Sequence, residues 1–149
     1  MTSEPKWISK KSALAIHEAL LAEHGGAPGL VAEHLLDSAL DAPRNHRSYG
    51  GVSDLFELSA VYARALTQNH PFVDGNKRLA LTIALTFLGR NGIVVDASEA
   101  EAVEMVLGLS SRDADTSAFA HWLRNNATLT PPRKKASKKK TLRVVRKRK

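Results

Sequence analysis

The chain has 149 residues, 43% of them hydrophobic, and a formal charge of +7. That length supports one domain with its own core rather than two. No run approaches the ~20 apolar residues of a membrane span, residues 1–10 hold no apolar signal core, and the absence of cysteine excludes disulfides and thiolate sites, so the expected location is cytoplasmic.

The charge is unevenly divided. Residues 131–149 hold eleven of the 22 lysines and arginines and no acid, which leaves eleven cations against fifteen acids in residues 1–130. The body is therefore acidic and the tail strongly basic.

In chain order, residues 9–24 place Ala13, Leu14, Ile16, Leu20 and Leu21 at helical spacing, with Gly25-Gly26 as the stop. A second helix is predicted over residues 31–40, closed by Pro43, with residues 41–53 an irregular loop or short hairpin. Asp54-Leu55-Phe56-Glu57 has the form of a capping box and opens a third helix that reaches Gln68. The run Leu79 to Leu88 is apolar on every side and predicts a central, surrounded helix over residues 76–89. Ile93-Val94-Val95 reads as a short extended segment. Ser98 with Glu101 marks a second capping box, for a helix to Leu109, and residues 116–125 a last helix holding Phe119, Trp122 and Leu123. The fold expected for residues 1–130 is all-α, a compact bundle of six helices around the central one.

His70-Pro71-Phe72-Val73-Asp74-Gly75-Asn76-Lys77-Arg78 sits immediately before that central run. The segment reads as a loop that opens into a helix N-terminus, where free N–H groups and a partial positive charge suit phosphate. Cations in a first turn oppose the helix dipole, so Lys77 and Arg78 make sense there if an anion is bound. His70 is a candidate general base toward a hydroxyl. Asp74 is either a hard oxygen ligand for Mg²⁺ or the N-cap of the next helix. Gly75 allows close approach of backbone to a ligand, or is a plain turn glycine. Asn76 positions a phosphate oxygen or holds the loop, and Lys77 and Arg78 neutralise phosphoryl oxygens or are a solvated pair. Taken singly each residue has a structural reading. As an ordered set they are the parts that phosphoryl or nucleotidyl transfer needs.

The nine-residue segment resembles the signature of Fic-fold proteins, and specifically of the Doc (death-on-curing) toxins. Trp7-Ile8-Ser9, Ile16-His17, His24-Gly25-Gly26, Gly29-Leu30, residues 35–40 and Pro43-Arg44 resemble Doc-type sequence as well, so the likeness spans residues 6–125. Most Fic proteins transfer AMP. They have a second glycine where this chain has Lys77 and a further arginine where it has Leu81. The Asn-Lys-Arg pattern of Doc implies instead a protein kinase that holds ATP in a flipped orientation. On that resemblance His70 activates the target hydroxyl and Asp74 binds Mg²⁺. Gly75, Asn76, Lys77 and Arg78 hold the nucleotide, and Arg78 also steadies the transferred charge. The implied target is a threonine of translation elongation factor Tu, and the implied regulator is a Phd-type antitoxin. Residues 29–32 read Gly-Leu-Val-Ala where the family often has Gly-Leu-Arg-Asp. A flap that docks the target segment is expected within residues 44–52, with Arg44, Arg47 and Tyr49 as contacts, or else an ordinary surface loop. An AMP-transferring enzyme remains an alternative.

The tail, residues 131–149, has too few apolar residues to offset ordering and is expected to be disordered when free. Its cations suit nucleic acid or the ribosome, an acidic antitoxin segment, or no partner at all. A second class of reading follows from it: a nucleic-acid-binding helical protein in which the signature is inert.

Overall fold

The computed structural model describes residues 4–111 and 115–129; the basic tail lies outside them. Six helices follow in chain order: α1 (Lys10–His24), α2 (Glu33–Gly50), α3 (Leu55–Asn69), α4 (Asn76–Arg90), α5 (Glu99–Leu107) and α6 (Thr116–Asn125). Strand β1 (Ile93–Val95) lies between α4 and α5, a single 3₁₀ turn (Gly108–Ser110) follows α5, and β2 (Ala127–Leu129) follows α6.

The helix starts follow local chemistry. The Ser9 side chain accepts from the Ser12 N–H, Asp54 from Phe56, Ser98 from Glu101 and Asp115 from Ser117, each an N-cap bond that satisfies a first-turn donor. The Asp54 box is not reciprocal, because Glu57 accepts from the Thr116 hydroxyl and so ties α3 to α6.

Helix α4 is the centre. Leu79, Ala80, Leu81, Ile83, Ala84, Leu85, Phe87 and Leu88 are all buried, against α3 most extensively and against α1, α5 and β1. Phe87 stacks on Trp7 with ring centroids 5.7 Å apart and meets Tyr62 at 5.1 Å. A fully buried phenylalanine of this kind stabilises the fold by about 3–5 kcal/mol relative to alanine. Such a core gives the N-terminus of α4 a rigid support.

One expectation is corrected. Helix α2 does not close at Pro43 but runs on to Gly50. An interior proline costs about 3 kcal/mol. Pro43 is itself buried, however, on the same face as Leu36, Ala39 and Leu40, so packing against α3 offsets the lost hydrogen bond. Gly51, in the left-handed region at φ 69°, ends the helix. Residues 41–50 are therefore helix, and no flap loop exists at 44–50. The Arg44 guanidinium lies over the Trp7 ring at 5.5 Å, Arg47 pairs with Glu4 at 3.2 Å, and Tyr49 stands exposed. Strand β2, in a segment without a sequence reading, pairs antiparallel with β1, Val94 opposite Thr128. Three residues are too few to show a strand period, so only the tertiary partner reveals it. Among the described residues no helix is long and apolar enough to cross a membrane.

Candidate active site

Residues 70–75 join α3 to α4. His70 caps α3 in the left-handed region (φ 49°, ψ 58°), the only non-glycine residue with positive φ among those described. That conformation costs roughly 1–3 kcal/mol and persists only where the surroundings impose it. Here the surroundings are the segment after α1. The Val31 N–H donates to the Pro71 carbonyl at 2.7 Å and the Val73 N–H to the Gly29 carbonyl at 2.9 Å, an antiparallel bridge that holds the loop at both ends of Phe72.

Asn76 closes the loop from the other side. Its Oδ1 accepts from the Phe72 N–H at 3.0 Å and its Nδ2 donates to the Phe72 carbonyl at 2.8 Å. The second amide hydrogen faces His70 Nδ1 at 3.4 Å. Asn76 is buried, and its side chain is committed to the loop.

Asp74 is exposed. Its Oδ1 accepts from the Gly75 N–H at 3.0 Å and its Oδ2 from the Ala27 N–H at 3.1 Å. It is not the N-cap of α4. That position belongs to Gly75 (φ 80°, ψ 15°), and the helix start has no side-chain cap. Gly26 sits so close that a Cβ there would lie 3.0 Å from Asp74 Oδ2, and its φ of +125° disfavours any side chain.

These groups line one cleft of about 360 Å³, within the size range of small-ligand sites. One wall is the loop and first turn of α4, with His70, Asp74, Gly75, Asn76, Lys77 and Arg78. The other is α5, with Glu99 at its start and the apolar Val103, Val106 and Leu107 beyond. Lys77 is exposed, whereas Arg78 Nη1 lies 3.4 Å from Glu99 Oε2, and the Glu99 side chain is buried. All six residues singled out from the sequence thus meet in one place, while Arg44, Arg47 and Tyr49 are absent from the lining.

Two neighbours were not read from the sequence as site residues. Glu99 follows the Ser98 cap, where an acid is expected for the helix dipole alone, so nothing distinguished it. His17 lies below the loop with Nε2 2.8 Å from the Asp74 carbonyl. The sequence gives it two signals, the Ile16-His17 pair of the Doc-type resemblance and its place on the stripe Ala13, His17, Leu20 that α1 buries, and neither assigns it to the site.

The donor set fits a metal-bound nucleotide. Mg²⁺ commonly takes one or two carboxylates together with substrate phosphates, and Asp74 supplies one exposed carboxylate beside an uncapped helix start and two cations.

The chain is 35% identical over 117 residues to the protein kinase doc of Escherichia phage P1, covering 78% of this chain and 92% of that protein. It is 34% identical over 90 residues to the Toxin Doc of Mycolicibacterium smegmatis, covering 58% of this chain and 68% of that one. The model of the Fic/DOC family matches residues 7–88, from the segment before α1 to the buried end of α4. The chain belongs to the Fic/DOC family.

Proposed function

We propose that this chain is the toxin of a toxin-antitoxin system and acts as an ATP-dependent protein kinase. One observation carries the reading: His70, Asp74, Lys77 and Arg78 converge on a single cleft at the uncapped N-terminus of α4. Similarity to the phage P1 protein kinase doc and to Toxin Doc supports it. The family resemblance supplies the finer terms: a threonine of elongation factor Tu as target, arrest of translation in the cytoplasm as outcome, and a Phd-type antitoxin as regulator.

The first-turn N–H groups of α4, with Lys77 and Arg78, hold the phosphates of ATP. Gly75 keeps the backbone open to them. Asp74 holds Mg²⁺, which when bound neutralises phosphoryl oxygens. His70 takes the proton of the target hydroxyl; the oxygen bonds to the terminal phosphorus as the bridging bond breaks and ADP leaves. Asn76 acts as a positioning residue, since its side chain holds Phe72 and faces His70. Lys77 and Leu81, at places where AMP-transferring relatives have glycine and arginine, favour transfer of the terminal phosphoryl group over AMP.

The test is incubation of the full chain with γ-labelled or α-labelled ATP and a cell lysate. Transfer of the γ label alone, lost with His70→Ala and kept on deletion of residues 131–149, is the expected result. Transfer of the α label would mean AMP transfer. No transfer of either label, with nucleic-acid binding lost on deletion of the tail, would replace the enzyme reading.

A further inference from the structure

We infer that His17, on α1, is the positioning residue that sets the anion- and metal-binding loop from beneath. The inference rests on the kinase reading above and adds a residue to it. His17 lies 57 positions before Asp74 and is buried. A carbonyl oxygen has no proton, so the 2.8 Å contact is donation from His17 Nε2–H to the Asp74 carbonyl. The ring also stacks on Phe72, with centroids 3.7 Å apart and planes within 14°. A Cβ at position 75 would lie 3.4 Å from the same Nε2, so the imidazole also supports the glycine that opens α4.

These contacts act on one peptide plane. The Asp74 carbonyl belongs to the Asp74–Gly75 peptide, and turning that plane would redirect both the Asp74 carboxylate and the start of α4. The carboxylate is steered from its far side by the Ala27 N–H, in the segment just after α1. An aliphatic residue would satisfy the stripe of Ala13 and Leu20 without a partner. A histidine there is a buried polar group, and its partner is the backbone of the site loop. Groups that orient a metal ligand from behind typically change metal affinity by about 10–100-fold when removed.

Two variants of the full chain separate the contributions. His17→Phe keeps a flat ring on Phe72 and loses the donor; His17→Gln loses the ring and keeps a donor at the reach of Nε2. Calorimetric titration with Mg²⁺ and ADP should show affinity weakened by about tenfold or more in His17→Phe and largely recovered in His17→Gln. Both should melt cooperatively, and amide exchange should speed up at residues 74–77 in His17→Phe alone. Wild-type affinity and exchange in His17→Phe, or equal loss in both folded variants, would overturn the inference. If His17→Phe does not fold, the ¹⁵N–¹H signal of the wild-type imidazole decides: a hydrogen-bonded, slowly exchanging Nε2–H supports it, and a freely exchanging one overturns it. If wild type binds no nucleotide, the kinase reading falls, and the exchange and imidazole measurements still decide the role of His17.

Discussion

Arg78 of α4 and Glu99 of α5 meet across the cleft, Nη1 to Oε2 at 3.4 Å. The arginine side chain is 39% exposed and that of the glutamate 7%. The pair therefore joins a buried carboxylate to a cation that opens on the site. A phosphate entering the cleft must share Arg78 with this carboxylate. Part-exposed ion pairs contribute up to about 1 kcal/mol, so releasing the arginine should tighten phosphate binding by at most about fivefold. Glu99→Gln is accordingly expected to bind Mg²⁺–ADP more tightly, by about two- to fivefold, in a calorimetric titration. Unchanged or weaker binding would show that Arg78 serves the nucleotide without leaving Glu99.

His70 and Asp74 should fail in different ways. Loss of a positioned base costs about 10²–10⁴ in rate. His70→Ala should lower label transfer by that factor and leave nucleotide affinity near wild type, because the imidazole holds no phosphate. Asp74→Asn should instead raise the Mg²⁺ concentration needed for half-maximal transfer. An unchanged Mg²⁺ titration in Asp74→Asn, or full transfer by His70→Ala, would remove the role assigned to that residue.

Asn76 satisfies both backbone groups of Phe72 in a buried setting. Each buried group left without its partner costs about 1–3 kcal/mol. Asn76→Ala should therefore lower unfolding stability by at least about 1–3 kcal/mol in a urea titration, far more than an exposed substitution such as Lys77→Ala. It should also reduce transfer, since His70 loses its neighbour. Equal stability of the two variants would mean that Asn76 is not what closes the loop.

Burial holds the Tyr62 phenol above the ordinary tyrosine range, against the lowering pull of the hydrogen bond its oxygen accepts from the Ile8 N–H at 2.9 Å. The raised value favours the neutral phenol in the folded state. Below the unfolded value of about 10 both states keep the proton, and this contribution to stability is fully present. As pH rises through the window between the unfolded and folded values, the unfolded chain ionises first and the contribution is lost. Tyr62→Phe should be less stable near neutrality by about 1–3 kcal/mol, since the Ile8 N–H loses its acceptor. It should also lose less stability than wild type between neutral pH and pH ~11. Parallel alkaline slopes for the two proteins would contradict this.

The residues read from the sequence and those supplied by the fold differ in kind. Helix α4 was legible because Leu79 to Leu88 leave no polar face, and such a helix has to be surrounded. The caps at Asp54 and Ser98 act within a few residues of their own helix starts. The order His70, Asp74, Gly75, Lys77, Arg78 carried its chemistry because all five lie on one loop and turn, so the chain itself brings them together. Pro43 misled because local preference ends a helix there, while burial against α3 keeps it going.

By itself, then, the sequence determined what depends on neighbours along the chain: the central apolar helix, its polar entrance and the kind of chemistry that entrance can do. The tertiary structure alone decided the partners that arrive from far away. His17 reaches the Asp74 carbonyl across 57 positions, Ala27 reaches the Asp74 carboxylate across 47, and Glu99 reaches Arg78 across 21. Hydrogen bonds and ion pairs act over a few ångströms in space, and only packing around α4 makes those separations short.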